Sequence, residues 1–73
     1  MKLPQISGIE LVKKLRAFGF VFVRQKGSHM RLEKNSPNET IKITVPNHPI
    51  LKKGTLNRII KDTGLTPEEV FED

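Results

Sequence analysis

The sequence predicts an α+β domain of order α-β-β-β-α: a three-stranded antiparallel sheet with both helices packed on one face, plus a short C-terminal helix. Two stretches of helical period bracket the chain, Leu11/Val12/Leu15/Phe18 early and Leu56/Ile59/Ile60 late. Between them lie three short runs that are either β-branched and aromatic or alternate polar with apolar residues, separated by turn formers. At 73 residues there is room for a single domain, 1–73, with one core and one surface site. A domain of this size buries only about 60% of its unfolded surface.

The first helix opens at Ser7-Gly8-Ile9-Glu10, which has capping-box spacing, and stops at Gly19. Phe20-Val21-Phe22-Val23 is the first strand, and Lys26-Gly27-Ser28 is a turn. His29 to Glu33 and Thr40 to Val45 each alternate, so each buries one face, and Asn35-Ser36-Pro37-Asn38 joins them. Pro46 and Pro49 lack amide donors, so Pro46-Asn47-His48-Pro49 is expected to leave the sheet. Thr55 to Thr63 is the second helix, stopped by Gly64. Thr66-Pro67-Glu68-Glu69 is a second capping box, and Val70 and Phe71 are expected to dock behind it.

Strand parity turns this pattern into a surface. With Met30 and Leu32 inward, His29, Arg31 and Glu33 face out; with Ile41, Ile43 and Val45 inward, Lys42 and Thr44 face out. Two registers keep the apolar sets together. One opposes Arg31 to Lys42; the other opposes Glu33 to Lys42, Arg31 to Thr44 and His29 to Pro46. The second is preferred, because opposed unlike charges gain roughly 0.2–1 kcal/mol. It brings the exit loop carrying His48 near His29. Arg24 and Lys26 approach the same face from the first strand and its turn. That strand is ambiguous, since both Phe20/Phe22 and Val21/Val23 are apolar, and one pair has to be partly exposed or covered by the tail.

Composition limits the function. The net charge is +5, but Glu68, Glu69, Glu72 and Asp73 sit in the last eight residues without a base. The first 65 residues therefore hold all 13 Lys and Arg against Glu10, Glu33, Glu39 and Asp62, a balance of +9. Such a body favours a polyanion: RNA, DNA or a membrane surface. There is no cysteine, hence no disulfide or thiolate metal site, and no His/Asp/Glu set has ligand spacing. No metal or cofactor is expected. The start, MKLPQISG, lacks a signal peptide's apolar stretch, and no run reaches a membrane span, so a soluble cytoplasmic protein is expected.

The segments GFVFVRQKGSHMRL and ITVPNHPILKKGTLNRIIKDTGL resemble the HicA family of toxin–antitoxin mRNA interferases. The resemblance runs from about Ile9 to Phe71. It rests on Gly19-Phe20, Arg24 to His29, Val45 to His48 and Lys53-Gly54-Thr55-Leu56, in that order. It implies a fold similar to a double-stranded-RNA-binding domain, cleavage of mRNA, and a cognate HicB-type antitoxin that blocks the active site of a toxin monomeric when free. It also implies that His29, in the Gly-Ser-His motif, is catalytic.

The residues permit that chemistry. RNA carries its own nucleophile, the 2′-hydroxyl, so a ribonuclease without a metal needs a base, an acid and positive charge for the phosphorane-like transition state. Histidine suits such proton transfer near neutral pH. Arg24, Lys26, Arg31 and Lys42 are the expected phosphate ligands, with Gly27 and Ser28 letting the backbone approach the RNA. His48 is the candidate second acid/base, a role that a protonated lysine also fits; alternatively His48 only ties down its loop. The competing class is a non-catalytic RNA-binding module on the same fold.

Overall fold

The computed structural model describes residues 3–72. Its elements are α1 (Gly8–Arg16), β1 (Val21–Lys26), β2 (His29–Asn35), β3 (Thr40–Pro46), α2 (Lys53–Thr63) and α3 (Pro67–Phe71). The strands form one antiparallel sheet in the order β1-β2-β3. Met30, Leu32, Ile43 and Val45 bury one face of it against Leu11 and Leu15 of α1 and Leu56, Ile59 and Ile60 of α2. Both helices thus cover the same side, and the other side of the sheet is left to solvent. A fully buried Leu or Ile contributes roughly 1.5–3 kcal/mol by leaving water.

Both capping boxes form. The Ser7 hydroxyl accepts from the Glu10 amide at 3.0 Å, while the Glu10 carboxylate accepts from the Ser7 amide at 3.1 Å. Thr66 and Glu69 do the same at α3, where Val70 is buried and Phe71 lies beneath the Lys14 ammonium. Two helix boundaries differ from expectation. α1 ends at Arg16, after which tighter i→i−3 bonds carry the chain through Ala17 and Phe18 to Gly19, whose φ of +95° reverses it. α2 starts two residues before Thr55, because the Lys52 carbonyl already accepts from the Leu56 amide; no side chain caps it.

The β2–β3 register is the preferred one, with His29 opposite Pro46, Arg31 opposite Thr44 and Glu33 opposite Lys42. Pro46 stays in the sheet as the last residue of β3. An edge strand tolerates a proline at its end because the missing amide hydrogen need not serve a second neighbour.

β1 resolves its ambiguity with a bulge. Val21 and Phe22 pair with Glu33 and Leu32, whereas Arg24, Gln25 and Lys26 pair with Arg31, Met30 and His29, so β1 gains one residue between Phe22 and Arg24. The cause lies at the two ends. A two-residue turn, Gly27-Ser28, demands that Lys26 oppose His29. Phe20, 2% exposed, demands the other phase. One extra residue satisfies both and reverses the alternation midway. Phe22 thus shares the helix side with Leu32, while Arg24 and Lys26 join Arg31 and His29 on the open side.

A Cβ on Gly8 would run into the Pro46 carbonyl oxygen. Gly8→Ala should therefore destabilise the fold by about 1–3 kcal/mol despite alanine's higher helix propensity, read as a lower Tm. The Ser7 amide, then the Ser7 hydroxyl, hold the Glu10 carboxyl below its ordinary 4.5. Its stabilisation is complete above pH 4.5 and disappears as pH falls through the lower folded value. Melting curves of Glu10→Gln should fall less steeply below pH 4.5 than those of the parent.

Candidate nucleic-acid interface

The open face of the sheet carries a cleft of about 540 Å³ lined by Arg24, Lys26, Gly27, His29, Arg31 and Thr44. Each element supplies its part for a local reason. β2 is the central strand, so its outward residues His29 and Arg31 are flanked on both sides. β1 supplies Arg24 and Lys26 through the bulge, and β3 supplies Thr44 by register. Directly opposed residues bring their Cβ atoms to about 4.5–5.5 Å. Arg24 therefore stands against Arg31, and Lys26 against His29.

Gly27 forms one rim. Its φ of +59° occupies the first position of the two-residue turn, and no described residue other than glycine has a positive φ, which is the type II′ pattern. A Cβ on Gly27 would meet nothing within 4 Å, so the glycine serves the turn's backbone and not a tight contact. The Gln25 side-chain amide donates to the Gly27 carbonyl at 2.9 Å, and the Asn47 amide donates to the Ser28 carbonyl at 2.6 Å. These bonds fix the turn against the end of β3, beside the imidazole-bearing residue.

The electrostatics are one-sided. No carboxylate lines the cleft among the described residues. Glu33 lies farther along β2, between Val21 and Lys42. The Arg31 Nε atom is buried and has no hydrogen-bond partner among the described residues. A buried guanidinium donor without a partner costs free energy, and an Arg placed opposite an Arg adds to that cost. Both costs fall when an anion with several acceptor oxygens enters.

Five of the sequence-derived site residues thus converge on one cleft: Arg24, Lys26, Gly27, His29 and Arg31. Ser28 takes part through its carbonyl, in the turn. Lys42 is on the same face but outside the lining, opposite Glu33. His48 is exposed and does not line the cleft; its carbonyl accepts from the Gly8 amide at 3.0 Å, tying the exit loop to the start of α1. Thr44 was not among the expected site residues, although parity and register already placed it opposite Arg31. A second cleft of about 540 Å³ between α2 and α3 includes Arg58 and Lys61 but no histidine, so it lacks an acid/base group with a neutral-pH range. Among the described residues no three His, Cys, Asp or Glu side chains are grouped as metal ligands, and no helix is long and apolar enough to cross a membrane.

Relief of the Arg24–Arg31 opposition is directly measurable. Arg24→Gln should raise the Tm at low ionic strength, by an amount corresponding to at most about 1 kcal/mol, and the difference should shrink as salt screens the parent.

No curated protein matches the chain closely. A family model described as the HicA toxin of bacterial toxin–antitoxin matches residues 8–65, which run from the first residue of α1 past the end of α2 and include every cleft residue. The chain accordingly belongs to the HicA toxin family of bacterial toxin–antitoxin systems.

Proposed function

We propose that this toxin is an endoribonuclease that cuts mRNA and thereby stops translation, with His29 as its acid/base group and without a catalytic metal. The observation that carries the reading is the cleft itself: an imidazole, an ammonium and two guanidiniums, one with an orphaned buried donor, with no carboxylate to neutralise them. That set suits a phosphodiester better than a carbohydrate, a peptide or an apolar ligand.

In this mechanism His29 takes the proton of a 2′-hydroxyl. The freed oxygen attacks the adjacent phosphorus, and the bond from phosphorus to the 5′-oxygen breaks. Lys26, facing His29 across the strand pair, is the candidate for offsetting charge on the phosphorane and returning a proton to the departing oxygen. Arg31 and Arg24 hold phosphate oxygens, and Thr44 adds a hydroxyl at the same edge. Gly27 and Ser28 leave the turn open to the RNA backbone, and Lys42 guides the strand along the outer face. The products are a 2′,3′-cyclic phosphate and a 5′-hydroxyl, so atoms and protons balance without a co-reactant. His48 is given no step, since its loop is held toward α1 and it does not line the cleft. The antitoxin implied by the family is expected to be of the HicB type and to cover this cleft, with acidic groups meeting its cations.

A non-catalytic RNA-binding module would use the same cations, so the decisive readout is bond cleavage. In EDTA, the protein should cut mRNA to ends bearing 2′,3′-cyclic phosphate. His29→Ala should lose at least about 10²-fold in rate, the typical contribution of a positioned acid/base group, while still binding RNA. Undiminished cleavage by His29→Ala would refute the role of His29, and binding without any cleavage by the parent protein would favour the module. Arg31→Gln should weaken RNA binding and reduce the slope of log affinity against log salt by about one.

A further inference from the structure

Among the described residues β1 is an edge strand that pairs only with β2. All six of its residues are exposed, and Val21, Phe22 and Val23 are 61%, 42% and 45% accessible. Three successive large apolar side chains therefore stand in water beside a row of backbone donors and acceptors that no neighbouring strand uses. That combination is what a sheet edge offers to an added strand. The opposite edge is polar by comparison. On β3 the exposed side chains are Thr40, Lys42 and Thr44, Ile43 and Val45 are buried, and Pro46 ends the strand without an amide hydrogen.

Charge and shape select the occupant. A second copy of this chain would bring the Arg24 and Lys26 of two strands together, and the bulge after Phe22 further discourages self-pairing. An RNA base stacks on a flat π face, and the strip's single ring, Phe22, stands on the helix side, opposite Leu32 and away from the cleft's cations. An extended protein segment with apolar side chains and carboxylates satisfies every feature at once. Its backbone continues the ladder, its apolar groups cover Val21 to Val23, and its carboxylates reach Arg24 and Lys26. The family supplies a protein partner by its toxin–antitoxin nature. We infer that the antitoxin adds an acidic, extended segment to the β1 edge, and that this segment shuts the outer-face cleft because Arg24 and Lys26 belong to both. The second clause rests on the phosphate-binding role proposed above.

The test uses the whole chain and the antitoxin produced with it. Backbone amide exchange should slow across residues 21–26 when the complex forms. Val21→Ser removes apolar cover at an exposed, uncharged position outside the cleft. It should weaken antitoxin binding about tenfold in a calorimetric titration, roughly the loss of one side chain's burial, and leave RNA affinity and cleavage unchanged. Unchanged exchange at residues 21–26, or an unchanged antitoxin affinity, overturns the inference. A variant that loses RNA affinity but keeps antitoxin affinity assigns the strip to RNA, and a parent dimer abolished by the substitution assigns it to a second copy; either result also overturns it. Antitoxin bound through β1 by a chain that cuts no RNA supports this inference while removing the nuclease reading, so the two failures are distinguishable.

Discussion

The bulge in β1 is the constraint on which the cleft depends. Two demands meet across this six-residue strand: after it, a two-residue turn pairs Lys26 with His29, and before it, the core takes Phe20 in the opposite phase. Uninterrupted pairing in the phase set by Phe22 would turn Arg24 and Lys26 toward the helices. In the phase set by the turn, it would expose the phenylalanines. The extra residue between Phe22 and Arg24 lets Phe20, just before the strand, enter the core while Arg24 and Lys26 reach the open face. The same irregularity leaves Val21, Phe22 and Val23 uncovered at the edge, so one backbone feature shapes both the cleft and the strip beside it.

The cleft runs against the stability of its small domain. Arg24 opposite Arg31 and an unpartnered Arg31 Nε are each unfavourable in the free protein, and there is little core to offset them. Local rules of this kind are broken at functional sites more than elsewhere, and in the role proposed for this cleft an RNA phosphate would supply the missing partner. The remainder of the chain follows the rules closely: both predicted capping boxes form, Gly64 caps α2 in the left-handed conformation, and the apolar periodicities fall on a single core.

The fold class and the β2–β3 register were legible because two alternating strands with one charged pair leave few arrangements. Five cleft residues were legible for the same reason, helped by the resemblance carried in the Gly-Ser-His motif. β1 was not legible from alternation, since all of Phe20 to Val23 is apolar and pattern alone offers no phase; turn length and core burial decide it jointly. The start of α2 is not legible in the sequence, because its N-cap, Lys52, makes no side-chain cap bond. Chain reach bounds the distance of His48 from His29 without giving its direction; the exit loop bonds to the turn through Asn47 and to α1 through the His48 carbonyl, and His48 is exposed outside the cleft lining.

The central claim is that Arg31 and His29 meet the same phosphate backbone. The most direct measurement is a nuclear magnetic resonance titration with a 2′-O-methylated RNA oligonucleotide, which keeps the phosphates but lacks the free nucleophile. The Arg31 Nε–H and His29 ring signals should shift together and saturate at one ligand concentration, while Arg58 on α2 stays put. Binding that leaves Arg31 and His29 unmoved, or that moves Arg58 in their place, would contradict the account.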